Sequence, residues 1–86
     1  MASYRLEIKR SAAKELEVLS AKDRGRVVAR IQALAVDPRP AGAEKLSGQE
    51  RYRVRQGDYR ILYEIQDEVL LIVVVKIGNR RDVYRK

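Results

Sequence analysis

The stretch RYRVRQGDYRILYEI, residues 51–65, alternates apolar and polar side chains on both sides of the dipeptide Gln-Gly. Alternation of this kind, interrupted by a hairpin-length connection, is typical of two antiparallel strands. The run VLLIVVVKI, residues 69–77, follows and is apolar at nearly every position. Such a run predicts a third strand that is covered on both faces. The second half of the chain therefore predicts three consecutive strands of one antiparallel sheet.

The first half of the chain predicts one strand followed by two helices. Residues 4–9, YRLEIK, alternate as a strand with one buried face does. The following SAAKELEVL has apolar residues at helical spacing, with Ser11 as the N-cap. Ser20 precedes the second helix, and Asp23 follows three residues later, as in a capping box. The segment DPRPAG, residues 37–42, ends this helix because proline cannot continue it.

These elements give the order β-α-α-β-β-β, with or without a short final strand at Val83. We therefore expect an α+β fold in which a two-helix hairpin packs on one face of a single antiparallel sheet. The length of 86 residues corresponds to a single domain, residues 1–86.

The composition of the chain excludes several classes of protein. With 19 Lys and Arg against 12 Asp and Glu, the net charge is +7, which favours a polyanionic partner such as nucleic acid. The chain has no cysteine and no histidine, so it offers no disulfide, no thiolate nucleophile and no histidine base. Any proton transfer would fall to Asp, Glu, Lys or Tyr. No apolar run approaches the roughly 18 residues of a membrane span, so we expect no membrane role.

The faces of the predicted hairpin separate apolar from basic side chains. If Gln56 and Gly57 form a two-residue turn, Arg53 pairs with Arg60 across the hairpin. Two arginines opposed in this way cost roughly 0.2–1 kcal/mol. A register slip by one residue would put arginines into the core, so the faces are better determined than the pairing. The core face then holds Tyr52, Val54, Tyr59, Ile61 and Tyr63, and the other face holds Arg51, Arg53, Arg55 and Arg60.

Two interpretations of the basic face stay open at this point. It is either a solvated polar face, partly neutralised by Asp58 and Glu64, or a cationic surface for phosphates. Arginine suits the second role because its planar guanidinium grips a phosphate with two hydrogen bonds and stacks on bases.

The segments KLSGQERYRVRQGDYRILYEI, residues 45–65, and VVVKIGNRRDVYR, residues 73–85, closely resemble the RelE/ParE superfamily of type II toxin–antitoxin toxins. The resemblance runs through the whole chain. Its RelE branch implies a cytoplasmic, ribosome-dependent endoribonuclease that needs no metal or cofactor and cuts mRNA in the A site. It also implies a cognate antitoxin whose C-terminal segment wraps the toxin, in a complex that binds operator DNA through the antitoxin.

The resemblance also implies a set of site residues, carried over by position. Ribonucleases of the family have lysine where this chain has Arg53 and Arg55, and many relatives have histidine at the position of Asn79. Arginine stays protonated, so neither position supplies a lysine base. The implied catalytic residues are Arg53, Arg55, Arg60, Arg80 and Tyr84, while Arg51, Arg81, Arg85 and Lys86 are assigned to general binding of RNA phosphates.

Cleavage of this type requires the ribose 2′-OH to attack the adjacent phosphate, giving a 2′,3′-cyclic phosphate and a 5′-OH. The arginines would stabilise the extra negative charge. Tyr84 is the best remaining base or orienting group, and Asp82 and Glu64 are outside candidates whose more ordinary role is pairing with arginine. The rivals are a ParE-like toxin that inhibits DNA gyrase by binding, a catalytically weakened homologue, and a basic module that only binds RNA. The terminal basic residues and Tyr84 favour the ribonuclease.

Overall fold

The helices and strands follow one another in the predicted order, with one short strand added. The fold is taken from a computed structural model, which describes residues 3–46 and 51–79. The elements are β1 (Arg5–Ile8), α1 (Arg10–Glu17), α2 (Ala21–Val36), β2 (Glu44–Lys45), β3 (Arg51–Gln56), β4 (Tyr59–Gln66) and β5 (Leu71–Asn79), with a single 3-10 turn at Asp67–Val69 before β5.

One five-stranded sheet, in the order β1-β5-β4-β3-β2, carries both helices. The predicted α+β class is confirmed. The sheet is mixed rather than wholly antiparallel, because β1 lies parallel to β5 while the other pairs are antiparallel. Short connections make β3, β4 and β5 antiparallel to one another. Strand β1 is separated from them in sequence by two helices, and a segment of that length allows β1 to lie parallel to β5.

The core lies between the helices and one face of the sheet. From α2, Val27, Ile31 and Leu34 are buried, and they recur at the three- to four-residue spacing of one helix face. Ala12 of α1 joins them. The strands contribute alternate residues to this layer, except at an irregularity in the β4–β5 pairing that puts three positions between Val74 and Ile77. These residues are Tyr52, Val54, Ile61, Tyr63, Ile65, Ile72, Val74 and Ile77.

The second helix begins as predicted, and the first begins two residues earlier than predicted. The hydroxyl oxygen of Ser20 accepts a hydrogen bond from the backbone N–H of Asp23 at 3.2 Å. The prediction that Ser11 caps α1 was wrong, because α1 starts at Arg10 and Lys9 is its N-cap. The Lys9 N–H donates to the carbonyl oxygen of Val74 at 3.0 Å, which keeps Lys9 in line with β1. The helix therefore begins as soon as the chain leaves the sheet.

The hairpin between β3 and β4 has the predicted faces but a different turn. Gly57, not Gln56, is the first turn residue, and its φ of +61 is the left-handed value that a type II′ hairpin requires. The predicted pairing of Arg53 with Arg60 was therefore wrong, since Arg60 lies opposite Arg55. Each pairing moves by two residues, an even number, so no side chain changes face.

The apolar strand β5 begins at Leu71, two residues later than the apolar run. The 3-10 turn and Leu70, which has a φ of +53, occupy the start of that run. On the face away from the helices, Leu71 and Val73 are each only 9% exposed, so the prediction that both faces of this strand are covered is confirmed. The predicted strand at Val83 lies outside the described residues. In the described part, no helix is long and apolar enough to cross a membrane.

Candidate functional site

A cleft of about 270 Å³ opens where the edge of the sheet meets helix α2. Three strands and one helix supply its charged side chains. We call it the arginine cleft, and it is lined by Arg30, Gly42, Glu44, Arg53, Arg55 and Arg60.

The regular geometry of the strands brings the predicted arginines of β3 and β4 together. Arg53 and Arg55 are two residues apart on β3, so their side chains leave the same face of the sheet. Arg60 of β4 pairs directly with Arg55. The three differ in exposure: Arg60 is 3% exposed, the side chain of Arg53 is 28% exposed and Arg55 is exposed. Charge at Arg60 is thus held in the interior of the site, where its interaction with an anion is less screened by water.

Glu44 is the acidic member of the cleft. Strand β2 places it opposite Arg53, and an Arg53 guanidinium N–H donates to a Glu44 carboxylate oxygen. This hydrogen bond, followed by the charges of Arg53, Arg55 and Arg60, lowers the pKa of Glu44 below its usual range. One carboxylate therefore experiences the combined field of all three arginines.

The sequence pattern did not indicate Glu44 or Arg30. Strand β2 has only two residues, too few to show a period, so nothing marked Glu44 as facing the arginines. Arg30 belongs to α2, which the sequence assigned to packing on the sheet. It sits one position before the buried Ile31, and this places it at the border of the helix where it meets the cleft.

Arg51 lies apart from the other arginines of β3. Its Nε donates to a carboxylate oxygen of Glu64 at 2.9 Å, and it does not line the arginine cleft. Glu64, named as an outside candidate for the base, is thus engaged in an ion pair on the neighbouring strand.

The other predicted site residues lie outside the described residues: Arg80, Arg81, Asp82, Tyr84, Arg85 and Lys86. The last strand nevertheless runs beside the cleft, since Gly78 of β5 pairs with Arg60 of β4. Asn79, the final residue of that strand, pairs with Tyr59.

The charge of the cleft suits the binding of anions. Guanidinium groups form paired, charge-assisted hydrogen bonds to carboxylates and phosphates, which are shorter and stronger than neutral hydrogen bonds. Four arginines around one opening offer contacts to more than one phosphate group, and one of them, Arg53, is already engaged by Glu44.

Comparison with known proteins identifies the family. The family described as ParE toxin of type II toxin–antitoxin system, parDE, matches residues 6–84. The chain belongs to this family. A curated relative, Toxin RelG of Mycobacterium tuberculosis, is 40% identical over 35 residues, a match that spans 41% of this chain and 40% of that toxin.

Solved structures of RelE toxins share the fold of this ParE-family toxin. The toxin–antitoxin complex RelBE2 of M. tuberculosis has a TM-score of 0.81 and 25% identity, covering 91% of this chain and 99% of that one. The archaeal RelE–RelB complex of Pyrococcus horikoshii has a TM-score of 0.79 and 26% identity, covering 91% and 96%. The intact E. coli RelBE complex, at 22% identity and a TM-score of 0.80, covers 90% and 96% and matches in fold. The predicted membership of the RelE/ParE superfamily is confirmed.

Proposed function

We propose that this toxin is a metal-independent, ribosome-dependent endoribonuclease that cleaves mRNA in the A site and so arrests translation in the cytoplasm. The observation that carries the proposal is the arginine cleft, in which Arg53, Arg55 and Arg60 line one opening. Like charges gathered on neighbouring strands disfavour the fold, and they suit a site that binds phosphate.

The cleft supports the electrostatic part of the reaction. When the ribose 2′-OH attacks the adjacent phosphate, the oxygen atoms around phosphorus gain negative charge before the 5′ oxygen leaves. Guanidinium groups fixed in place before the reaction stabilise this charge, and a single donor of this kind typically contributes about 10²–10³ in rate. Arg60, at 3% exposure, is the most deeply buried of the three.

The proton-transfer part is assigned to the C-terminal segment. Arginine cannot act as a base in proteins, so Arg53 and Arg55 cannot take the 2′ proton. We assign to Tyr84 the role of orienting or deprotonating the 2′-OH, and to Arg80 a further contact with the reacting phosphate. The ribosome, by aligning the message, supplies part of the acceleration that a weak base does not. Arg51, Arg81, Arg85 and Lys86 would add general attraction for RNA.

The partner we propose is a RelB-like antitoxin. The related toxins of M. tuberculosis and P. horikoshii were solved in complexes with antitoxins. We infer that a cognate antitoxin wraps this toxin with its C-terminal segment, and that the complex binds operator DNA through the antitoxin.

The second candidate function is inhibition of DNA gyrase by binding. It is favoured by one observation, that the matching family is described by the ParE toxin rather than by RelE. Such a toxin would need no catalytic arrangement in the arginine cleft, and the two functions differ in their target and in their dependence on Tyr84.

One experiment separates the two functions. The wild type and the variants Arg55→Ala, Arg80→Ala and Tyr84→Phe are added to translating extracts, and the 5′ ends of the message are mapped. We expect wild-type cuts at ribosome positions and at least about a tenfold loss in each variant. Arg5→Ala, on the opposite edge of the sheet from β2, is the matched control and should cut like the wild type. Intact ribosome-bound message, together with blocked gyrase supercoiling, would establish the second function instead.

A further inference from the structure

Glu44 places a carboxylate inside a site otherwise built for anions. Arg53 donates a hydrogen bond to it, and both side chains line the arginine cleft. A carboxylate and a phosphate use the same hydrogen-bonding fork of a guanidinium group. While Glu44 holds Arg53, that part of the fork is closed to a phosphate.

We propose that Glu44 is a specificity-determining residue of the arginine cleft, whose carboxylate occupies the Arg53 contact that a substrate phosphate needs. A ligand must displace Glu44 to bind. The inference rests on the proposed function, because it takes the phosphates of single-stranded RNA as the ligand.

The contact between Glu44 and Arg53 can be exchanged for a contact between Arg53 and a ligand. The side chain of Glu44 is 64% exposed, and exposed ion pairs between flexible side chains are weak. Glu44 also lies on the two-residue edge strand β2. Gly42, two positions before it, has a φ of +93, which few residues other than glycine adopt. Release of the carboxylate into water therefore requires no opening of the core.

Because Glu44 must be displaced, the cleft discriminates between ligands by the number of phosphates that they carry. When a mononucleotide binds, its phosphate contacts Arg53, but the ion pair between Arg53 and Glu44 is lost. The displaced carboxylate of Glu44 stays nearby and repels the phosphate. A strand of RNA brings further phosphates that reach Arg30, Arg55 and Arg60, and these contacts offset the displacement. Glu44 thus lowers the affinity for small anions more than the affinity for a strand.

The test compares the full chain with its Glu44→Gln variant. Two ligands are titrated at constant salt: uridine 3′-monophosphate, and a single-stranded RNA of about ten nucleotides carrying 2′-O-methyl groups so that it cannot be cleaved. We expect Glu44→Gln to bind the mononucleotide about fivefold more tightly, the factor that corresponds to loss of one exposed ion pair. The gain for the RNA should be smaller, so the preference for RNA falls.

Two controls isolate the contact with Arg53. Glu7→Gln removes the same charge from β1, at the opposite edge of the sheet, and should leave the preference for RNA unchanged. In an Arg53→Ala background, Glu44→Gln should raise the affinity for the mononucleotide less than it does in the wild type, because only the repulsion by the carboxylate is left to remove. The ¹³C resonance of the Glu44 carboxyl should also move when the mononucleotide is added to wild type.

The proposal would be overturned if Glu44→Gln bound the mononucleotide more weakly than the wild type does. It would also be overturned if the preference of Glu44→Gln for RNA equalled that of Glu7→Gln. Unchanged binding with lost cleavage would also overturn it and would assign Glu44 to proton transfer. A wild type that binds neither ligand and leaves message intact would refute the proposed function. A wild type that binds RNA but leaves ribosome-bound message intact would refute the ribonuclease alone, and the preference measured with Glu44→Gln would still decide the role of Glu44.

Discussion

Arg55 lies directly opposite Arg60 in the antiparallel ladder between β3 and β4. Like charges in facing positions weaken a sheet, and here one of the two is almost completely buried. Glu44 on the neighbouring strand β2 supplies counter-charge, but its hydrogen bond goes to Arg53. Facing guanidinium groups repel each other, and we attribute the presence of this pair to the site rather than to the fold.

Replacement of Arg55 by threonine should raise stability and lower activity. Arg55→Thr removes the repulsion opposite Arg60, a gain of roughly 0.2–1 kcal/mol. For a domain of this size that gain raises the thermal midpoint by about 1–8 °C. Arg5→Thr, an exposed arginine of β1, controls for charge and for the strand preference of threonine. Thermal unfolding followed by circular dichroism and mapping of message ends measure the two effects, and a destabilised Arg55→Thr, or one with full cleavage, would contradict the account.

Loss of the Tyr63 hydroxyl should destabilise the fold more than loss of the Tyr59 hydroxyl. The Tyr63 O–H donates to the carbonyl oxygen of Pro38 at 2.7 Å, and the residue is fully buried. Tyr63→Phe leaves that carbonyl without this donor, at a cost of about 1–3 kcal/mol. Tyr59, whose O–H donates to Asp23 at 3.1 Å, is only half-buried, so Tyr59→Phe is the matched variant with the smaller loss. Urea unfolding of both variants gives the comparison, and equal losses would show that burial does not set the cost.

The same tyrosine should make the protein sensitive to alkali. Burial raises the pKa of Tyr63 to about 12, above the value of about 10 that it has in an unfolded chain. The neutral form is favoured in the folded state, so this contribution to stability is complete below about pH 10 and is lost as the pH rises toward 12. Urea unfolding between pH 8 and 11 should show a falling free energy for wild type and a smaller fall for Tyr63→Phe. Parallel pH curves would exclude Tyr63 as the source.

The alternation of residues 51–65 was enough to predict which side chains share a face. Side chains in a strand alternate with a period of two. The opposite assignment would turn the whole set of arginines into the apolar core and the apolar set into water, which is too costly. The pairing was not predictable to the same degree. A turn at Gln56-Gly57 and one at Gly57-Asp58 give the same faces, so the hydrophobic pattern does not distinguish them.

The remaining parts of the cleft depend on tertiary contacts that leave no trace in a local pattern. Glu44 faces Arg53 because β2 pairs with β3. The two residues of β2 would not form a strand through their own conformational preference. Arg30 reaches the cleft through the way α2 crosses the sheet. The parallel pairing of β1 with β5 likewise follows from packing of the helices and not from any turn signal.

Asp67 should contribute to stability in a way that acid removes. It accepts hydrogen bonds from the hydroxyl of Tyr4 at 2.6 Å and from Arg39 at 2.9 Å, so it links the residue before β1 to the segment after α2. Arg39, and then Tyr4, hold the pKa of Asp67 below its usual range. The contribution is therefore present above the unfolded pKa, about 4, and is lost as the pH falls through the folded value. Asp67→Asn should unfold at lower urea than wild type at pH 7, and the difference should shrink toward pH 3. A difference that does not depend on pH would mean that the charge is irrelevant.

Glu15 should hold the end of β5 in place. Strand β1 stops at Ile8, which pairs with Val74, and beyond that point the Ile77 N–H donates to a carboxylate oxygen of Glu15 at 2.8 Å. The other carboxylate oxygen accepts from Lys76 Nζ at 3.0 Å. Helix α1 thus supplies, through one side chain, a hydrogen bond that a strand would otherwise make.

Glu15→Ala should therefore speed hydrogen exchange at the Ile77 amide by about tenfold or more, the effect of losing one charge-assisted hydrogen bond. Because β5 leads into the segment that carries Arg80 and Tyr84, message cleavage should fall although every arginine of the cleft is intact. Glu15→Gln keeps an acceptor oxygen and should restore most of the protection, whereas Glu17→Ala, exposed on the same helix, should change neither measurement. Exchange measured by NMR on all three variants decides the matter, because unaltered protection of Ile77 in Glu15→Ala is incompatible with this role.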